Sequence, residues 1–496
     1  MNLIEFLGAL DSATVYRYCR AVLEDLQPEK SPLYNRGDDI AAGKLFADVF
    51  KAAARYHDTA RCWYVYHEGI WAEDREGLTV DLMAKQLQRA LIVYSAEREL
   101  GECSFKTMAN ALGKIGNRRH MVEDARAFYP IHCGELDCQD NMLCVQNGVL
   151  CLDTGELLPH SPDLLLSRRC NAAYDPDADA TVIERFIMEV MDGDKERAAY
   201  LQTVLGYALT GTCAQEECYL LYGATTRNGK STLCDTFEYM LGGYGAHIQP
   251  ETLALKDRNS RNASSDVARL EGIRYLHCSE PPKRMPLDVA LLKTLTGRDT
   301  ITARALYQAE REFVPKFKLL INTNYLPLVT DDTVFSSGRI RVIPFTHHFT
   351  PQEQDVGLKD RLREPENLSA LLNWALAGLR QMQAHGGKLV PPASVIAATE
   401  EYRRSSDKLG QFMTDCFIES SASCITAKEA YKAYGQWCDS NGYGTENKSN
   451  FIAELRSRKL LRETATICGK TVRRVIVGYT LDVDQWGNLR DSPFAS

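Results

Sequence analysis

One segment sets the architecture of this chain: Tyr219-Leu220-Leu221-Tyr222-Gly223-Ala224-Thr225-Thr226-Arg227-Asn228-Gly229-Lys230-Ser231-Thr232-Leu233. An apolar run of strand length enters a polar loop, and a helix-forming run leaves it. A Gly-Lys-Ser sequence at that junction is typical of a loop whose backbone N–H groups surround phosphate oxygens. The segment therefore predicts an α/β core with a phosphate-binding P-loop, in which nucleotide binding depends on the loop and on the first turn of the helix.

The chemistry of such loops predicts individual roles. We expect Lys230 to reach the β and γ phosphates of ATP, and Ser231 to supply an oxygen to Mg²⁺. One position departs from the usual spacing, because Ala224 stands where the first glycine is expected and Gly223 lies one residue earlier. The residues predicted to bind the nucleotide are Gly223, Thr226, Arg227, Asn228, Gly229, Lys230, Ser231 and Thr232.

A P-loop needs a carboxylate at the end of a neighbouring strand, where it can hold Mg²⁺ and polarise the attacking water. The apolar-leaning run 270–279 ends in Glu280. Glu280 is therefore the candidate for both the metal contact and the general base. Taken alone, it is explained about as well by a solvated strand end.

Two further elements follow in the alternating strand and helix pattern of residues 219–345. The apolar strand 317–323 is followed by Asn324, which could orient water against the γ-phosphate. Arg339 and Arg341 lie beside the next strand and suit an arginine finger supplied across a subunit interface. A turn residue and solvated arginines are the alternatives, and the order of the elements favours the functional interpretation.

Composition sets outer limits. A chain of 496 residues exceeds the size of one hydrophobic core, so we expect several domains. With 45% hydrophobic and 25% charged residues the composition is that of a soluble globular protein. The net charge of −8 argues against a surface that is basic all over, but it allows a local basic groove. Since neither a signal peptide nor a membrane span is evident, we expect a cytoplasmic protein without a membrane partner.

The sixteen cysteines are scattered, and in a reducing compartment this pattern predicts free thiols. A zinc site has to be considered near His132, where four of them cluster. No pair has Cys-x-x-Cys spacing, and several alternate with apolar residues, so small buried hydrophobic residues are the favoured interpretation. The four cysteines are Cys133, Cys138, Cys144 and Cys151.

Periodicity and turn residues outline the rest of the chain. Short amphipathic helices are predicted up to about residue 55, a hairpin at 63–71, helices at 78–126, a second hairpin at 145–157 and helices at 180–212. The predicted domains are a helical segment (1–55), an α+β module (56–180), the ATPase domain (181–390), a linker (391–408) and a C-terminal domain (409–496).

The C-terminal domain shows a second, weaker signal. Thr426-Ala427-Lys428-Glu429 is a capping box that opens a helix, another helix follows near residue 449, and two β-like runs come after it. Helices followed by a hairpin predict a winged-helix-like domain with basic residues facing duplex DNA. A ring-closing or partner-docking domain explains the same pattern equally well. The basic residues are Lys448, Arg456, Arg458, Lys459, Lys470, Arg473 and Arg474, with Arg456 and Arg473 the main candidates.

Several motifs between about residues 60 and 400 carry a family resemblance. They are Asn147-Gly148-Val149-Leu150, Thr154-Gly155-Glu156-Leu157, 206–211, 270–274, Ser279-Glu280, 292–304, Leu306-Tyr307, 313–318, 322–327 and 339–345. In these motifs the chain resembles superfamily 3 helicases, specifically the helicase portion of phage and plasmid primase-helicases. That portion shares a module with a poxvirus primase-helicase.

The resemblance implies an AAA+-like ATPase core that assembles into a hexameric ring and translocates on single-stranded DNA. It places residues 293–304 near a hairpin that projects into the central channel. The residues expected to track the DNA backbone there are Lys293, Arg298, Arg304 and Lys316. Arg298 stands where the family more often has glycine. The residues ahead of the module contain no paired-carboxylate strand motif, so we expect this chain not to synthesise primers.

Two hypotheses for the function remain after these observations. The first is an ATP- and Mg²⁺-dependent DNA helicase of a phage, plasmid or mobile element, acting on single-stranded and forked DNA. The second is an ATP-switched replication initiator or scaffold that binds duplex origin DNA and recruits another motor. A small-molecule kinase is disfavoured, because neither a lid nor an acceptor pocket is evident. The basic hairpin region favours the helicase, since a switch does not need a charged channel.

Overall fold

The computed structural model describes residues 3–255, 265–304, 310–329, 331–441, 443–467 and 470–482. The chain divides into two compact units. The first unit comprises Met1–Leu328 and Ser336–Ala398, and the second comprises Val329–Phe335 and Thr399–Ser496. The second unit therefore includes one short segment from within the predicted ATPase domain.

The helices and strands follow the chain in this order. The helices are α1 (Leu3–Gly8), α2 (Ser12–Leu26), α3 (Asp39–Phe50), α4 (Leu78–Glu97), α5 (Ser104–Ala111), α6 (Ile115–Ala125), α7 (Thr181–Val190), α8 (Lys195–Tyr207), α9 (Lys230–Leu241), α10 (Pro250–Leu253), α11 (Ser265–Ala268), α12 (Val289–Thr296), α13 (Thr333–Ser336), α14 (Leu358–Leu362), α15 (Pro365–Ala384), α16 (Ala393–Ser406), α17 (Lys408–Cys416), α18 (Ala427–Ser440) and α19 (Lys448–Ser457). The strands are β1 (Ala54–His57), β2 (Cys62–His67), β3 (Ile70–Asp74), β4 (Met142–Val145), β5 (Gly148–Cys151), β6 (Leu157–Leu158), β7 (Cys218–Tyr222), β8 (Gly245–Ile248), β9 (Tyr275–Ser279), β10 (Ile301–Arg304), β11 (Glu310–Phe313), β12 (Lys318–Thr323), β13 (Ile340–Pro344), β14 (Phe417–Thr426), β15 (Leu461–Ile467) and β16 (Lys470–Leu481).

The N-terminal helices belong to the same core as the hairpin that follows them. Phe46 of α3 packs its ring 6.0 Å from that of Trp63 on β2, and Leu87 of α4 is fully buried in the same cluster. The predicted boundary at residue 55 is therefore wrong. Short amphipathic helices cannot bury their apolar faces alone, so they share a core with the elements next to them.

A five-stranded parallel sheet forms the centre of the first unit, in the order β13-β7-β12-β9-β8. Its inner strands β7, β12 and β9 are almost completely buried, as expected for a parallel sheet with both faces covered. The mixed α/β class predicted from the sequence is confirmed. Because the strands are parallel, the residues that follow β7, β9 and β12 lie along one edge of the sheet.

Two buried cations join this sheet to the preceding module. The guanidinium of Arg274, just before β9, donates to the carbonyl oxygens of Leu209 (2.7 Å) and Met142 (2.6 Å). Lys318, at the start of β12, donates to the carbonyl oxygens of Thr212 (3.3 Å) and Lys316 (3.1 Å). Burial lowers the pKa of Lys318 to about 7. Both cations thus bind carbonyl groups at the edge of the sheet opposite the loop after β7.

The second unit includes α17, α18 and α19 and the antiparallel sheet β14-β16-β15, together with the end of α16 and most of α13. The capping box at Thr426 is present, with Glu429 and Thr426 each bonded to the other's backbone N–H. Residues 393–406 of the predicted linker 391–408 form the helix α16, and the division between the two units, at Ala398 and Thr399, falls within it. Val395 and Tyr402, seven residues apart on one helical face, are buried and stabilise this helix. Among the described residues, no helix is both long enough and apolar enough to cross a membrane.

Candidate functional site

The loop between β7 and α9 is shaped by glycines at both ends. Gly229 has φ +77° and caps the start of α9. A Cβ on Gly223 would lie 2.1 Å from Nδ2 of Asn228 and 2.9 Å from Nζ of Lys230. Only glycine at position 223 lets these two side chains fold back over the loop. Gly223, one residue before the expected position, therefore makes the close approach.

Lys230 is held between two asparagines. Its Nζ donates to Oδ1 of Asn228 (2.7 Å) and to Oδ1 of Asn324 (2.8 Å). The side chain of Asn228 in turn donates to the carbonyl oxygen of Thr225 at 2.7 Å. Burial lowers the pKa of Lys230 to about 8. The ammonium group thus lies in a preformed position at the loop, without a carboxylate in direct contact.

Ser231 has a partner that the sequence did not single out. Nδ2 of Asn322, a fully buried residue inside β12, donates to the exposed Ser231 hydroxyl at 3.0 Å. Asn322 and Asn324 are two residues apart at the end of the strand, so their side chains lie on the same face. Asn322 reaches Ser231 and Asn324 reaches Lys230, two neighbouring residues of α9. The one available signal was an amide side chain within an apolar strand, which requires a hydrogen-bond partner when buried.

Glu280 lies at the same edge of the sheet. It follows β9 directly, has φ +54°, and its N–H donates to the carbonyl oxygen of Asn322 at 2.8 Å. The left-handed conformation of a non-glycine residue at this position is strained, and strain of this kind clusters at functional sites. Its side chain is exposed and therefore free to face a ligand over the loop.

The outer part of the loop is bound to the segment after β13. Nδ1 of His348 lies 2.8 Å from the carbonyl oxygen of Thr226, and the N–H of Phe349 donates to the carbonyl oxygen of Arg227 at 2.8 Å. The side chains of Thr226 and Arg227 are exposed and that of Thr232 is partly exposed. The predicted loop residues are thus brought together, with two of them fixed through their backbone.

The two candidate finger arginines lie at the opposite edge of the sheet. Arg339 and Arg341 flank the start of β13, which pairs with the start of β7. Arg339 donates to Oε2 of Glu216 at 2.7 Å, and Arg341 donates to Oε1 of Glu217 at 2.8 Å. Burial raises the pKa of Glu217. Neither arginine lies near the loop of its own chain, about 15 Å away along a five-residue strand.

The predicted DNA contacts of the first unit differ in their surroundings. Arg304 is exposed at the end of β10, which pairs with β11 in a hairpin whose tip, 305–309, lies outside the described residues. Arg298 is exposed and donates to the carbonyl oxygen of Ala214 at 2.7 Å. Lys293 is partly exposed on α12. Lys316 forms an ion pair within the chain, with its ammonium group 2.6 Å from Asp140.

In the second unit, Arg473 is exposed on β16, and Arg456 of α19 is paired with Glu463 at 2.7 Å. Arg458 is tied into the unit by Asp407 and Glu454, at 2.7 and 2.9 Å. Arg458 therefore stabilises the fold and is not positioned for a partner. Gly469 of the predicted turn lies outside the described residues.

The cysteine cluster near His132 is spread over different environments. Cys133 and Cys138 are exposed, and Cys144 is buried on β4. In the part of the chain that the structure describes, no group of three His, Cys, Asp or Glu residues is placed to hold a metal ion.

Two family models match the chain. The model described as "D5 N terminal like" matches residues 43–192, and a family of unknown function, DUF5906, matches residues 221–339. Among curated proteins, "Putative helicase L207/L206" of Acanthamoeba polyphaga mimivirus is 29% identical over 341 residues, covering 64% of this chain and 35% of that protein. "Putative primase C962R" of African swine fever virus is 24% identical over 331 residues, covering 62% of this chain and 34% of that protein.

The family models and these relatives support a D5-like primase-helicase family for this chain. The resemblance stated from the motifs is thereby confirmed. The chain spans about a third of the length of the curated relatives it matches. "Putative helicase 022R" of Frog virus 3 is another relative, 28% identical over 53% of this chain and 29% of that protein. Among solved structures, the apo C-terminal region of NrS-1 (305–718) superposes with a TM-score of 0.49 at 11% identity, covering 89% of this chain and 99% of that one.

Proposed function

We propose that this D5-like chain is an ATP-dependent DNA helicase with an AAA+-like P-loop core, serving replication of a virus, phage, plasmid or other mobile element. One observation carries the proposal. The Lys230 ammonium and the Ser231 hydroxyl are presented side by side at the end of the sheet, each oriented by an asparagine of β12 or of its terminus. P-loop enzymes bind magnesium and a nucleoside triphosphate with a lysine at the phosphates and an adjacent hydroxyl at the metal.

The residues of the loop fit Mg-ATP. Gly223 and Gly229 leave room for close approach, and α9, at twelve residues, directs the positive end of its dipole into the loop. Ser231 and Glu280 would hold Mg²⁺, with water and phosphate oxygens completing an oxygen-only shell. Magnesium supplies charge neutralisation at the phosphates when it is bound.

The chain's own groups then have separate tasks. Lys230 neutralises phosphate charge; burial lowers the pKa of its ammonium group, and a bound phosphate would favour the charged form. Glu280 accepts a proton from the attacking water. Asn324, which contacts Lys230, orients that water and registers whether a γ-phosphate is in place.

The proposed action on DNA rests on the hairpin β10–β11 and on assembly. Arg304, at the exposed end of β10, and Arg298 would follow the backbone of single-stranded DNA inside a hexameric ring. An arginine before or within β13 would complete the site of the adjacent subunit. The second unit, with helices and the β15–β16 hairpin, would act as a winged-helix-like domain that contacts duplex or forked DNA through Arg473.

A strand-displacement assay on forked DNA tests the proposal. Lys230→Ala should abolish both ATP hydrolysis and unwinding, whereas Lys85→Ala, which removes an exposed lysine on α4, should leave both unchanged. If the unaltered chain hydrolyses ATP in the presence of DNA but never separates strands, the helicase assignment fails and the ATP-switched initiator is favoured.

A further inference from the structure

We propose that Arg403 of the second unit is a positioning residue for ATP hydrolysis, acting through the segment Val329–Phe335. This segment lies between Asn324 and Arg339 in the sequence, yet it belongs to the second unit together with Thr399–Ser496. Asn324 and Arg339 thus lie on either side of a piece of the second unit. The proposed function assigns Asn324 to γ-phosphate sensing and Arg339 to the site of the neighbouring subunit. The inference rests on that proposed function.

Contacts with Arg403 and Tyr402 help to hold the segment within the second unit. Arg403 forms a bidentate ion pair with Asp332: its Nε donates to Oδ1 at 2.8 Å and its Nη2 donates to Oδ2 at 2.9 Å. The ring of Phe335 meets the ring of Tyr402 edge-on, with centroids 5.1 Å apart, and Tyr402 is buried. A bidentate pair fixes orientation as well as distance, so Asp332 cannot rotate independently of α16.

Only a few residues connect this segment to fixed points of the first unit. On one side, Leu328 is fixed in the first unit by its N–H to the carbonyl oxygen of Met285 (2.8 Å) and by its carbonyl oxygen to the N–H of Leu287 (2.9 Å). On the other side, three residues separate Phe335 from Arg339, whose carbonyl oxygen accepts from the N–H of Cys218 at 2.7 Å. A displacement of the anchored segment therefore reaches both ends over a few residues.

The pair itself contributes little to folding, because Arg403 and Asp332 are 41% and 48% exposed. Breaking it should leave the second unit folded, since Val334 of the segment is fully buried, and should remove the contact that fixes the orientation of Asp332. The loop residues 223–231 are not part of this connection. Loss of the pair should therefore lower the rate of hydrolysis and leave ATP binding unchanged, which gives the second unit a means of adjusting the ATPase rate.

The test uses the full chain with DNA and compares Arg403→Ala, Asp332→Ala and the exchanged pair Arg403→Asp with Asp332→Arg. Each single change should lower kcat about five- to tenfold, with KM for ATP and the melting temperature within error, and the exchanged pair should recover most of kcat. Arg404→Ala is the matched control, because it removes the adjacent and more exposed arginine of α16. It should keep the unaltered kcat.

Amide hydrogen exchange provides a readout that does not depend on turnover. Arg403→Ala should accelerate exchange at 336–339, outside the second unit, whereas Arg404→Ala should not. Unaltered kcat and exchange in Arg403→Ala, or failure of the exchanged pair to restore kcat, would overturn the coupling and leave the helicase proposal standing. If the unaltered chain hydrolyses no ATP, the proposed function fails, and the exchange result alone decides whether Arg403 positions this segment.

Discussion

At the scale of single residues, Lys230 offers a direct test because its pKa is about 8 and its partners are neutral amides. A bound triphosphate adds negative charge beside the ammonium group and raises its pKa above that of the free protein. Binding then takes up a proton between about pH 8 and the higher pKa of the complex. Affinity for Mg-ATP should therefore be constant below pH 8 and fall about tenfold per unit as pH rises beyond it.

Calorimetric titration of the full chain with a non-hydrolysable ATP analogue between pH 7 and 9.5 measures this dependence. Lys230→Arg provides the comparison, because a guanidinium stays charged over the whole range and should remove the alkaline decline. An unchanged affinity of the unaltered chain up to pH 9.5 would show that Lys230 does not titrate at the phosphates.

The sequence predicted those site residues whose role follows from their position in one element. Lys230 begins a helix, and Glu280 and Asn324 each end a strand, so the shared edge of a parallel sheet was enough to bring them together. Asn322 was missed because its partner Ser231 lies 91 positions earlier in the chain. Glu216 and Glu217 were missed for the same reason, since their pairing with Arg339 and Arg341 depends on which strands are neighbours.

At the scale of elements, Arg274 connects the central sheet to the module before it. Its buried guanidinium donates to the carbonyl oxygens of Leu209, Gln139 and Met142, and lies 4.5 Å from the ring centre of Tyr244. Replacing it with methionine would remove these donors and leave the buried carbonyl oxygen of Leu209 without the guanidinium. We expect Arg274→Met to lower the free energy of unfolding by about 2–4 kcal/mol.

Urea unfolding followed by circular dichroism should show this loss as a lower transition midpoint. Arg269→Met is the matched control, because Arg269 is exposed and donates to the carbonyl oxygen of His247 at the surface. It should shift stability by less than about 0.5 kcal/mol. Equal midpoints for the two variants would mean that the buried guanidinium is replaceable and does not hold the module to the sheet.

Element types were predictable wherever periodicity and capping agreed, as at α18, whose capping box and end near Asn441 matched the sequence. Helices and strands were missed where tertiary packing outweighed the local sequence pattern. Pro391-Pro392 indicated a linker, yet Pro392 lies immediately before α16, a position where proline suits a helix start. β14 was not predicted, because Glu419, Ser420 and Ser421 interrupt its apolar pattern, and its pairing with β16 supplies what the local sequence lacks.

At the scale of the whole molecule, the position of the arginines argues for a site shared between subunits. Arg339 and Arg341 lie at the end of the sheet opposite the loop, so neither can reach a nucleotide on its own chain. Of the two, Arg339 has the more exposed carboxylate partner. Arg339 also donates to the hydroxyl of Thr296 at 3.0 Å, but its partner Glu216 is 38% exposed. Glu217, the partner of Arg341, is 9% exposed, and without Arg341 it would keep the hydroxyl of Tyr219 but lose its cation. We therefore expect Arg339 to serve as the finger.

Mixing two inactive variants tests this at the level of the assembly. Lys230→Ala and Arg339→Ala should each be inactive alone, but a mixed ring contains some interfaces that join an intact Lys230 to an intact Arg339. With random assembly from equal amounts, about a quarter of the interfaces are of this kind, so ATP hydrolysis should partly return. Arg341→Ala should instead lower stability, because Glu217 loses its partner, and mixing should not rescue it. Recovery with Arg341→Ala but not with Arg339→Ala would reverse the assignment, since only the arginine that reaches across an interface can be supplied by a different subunit.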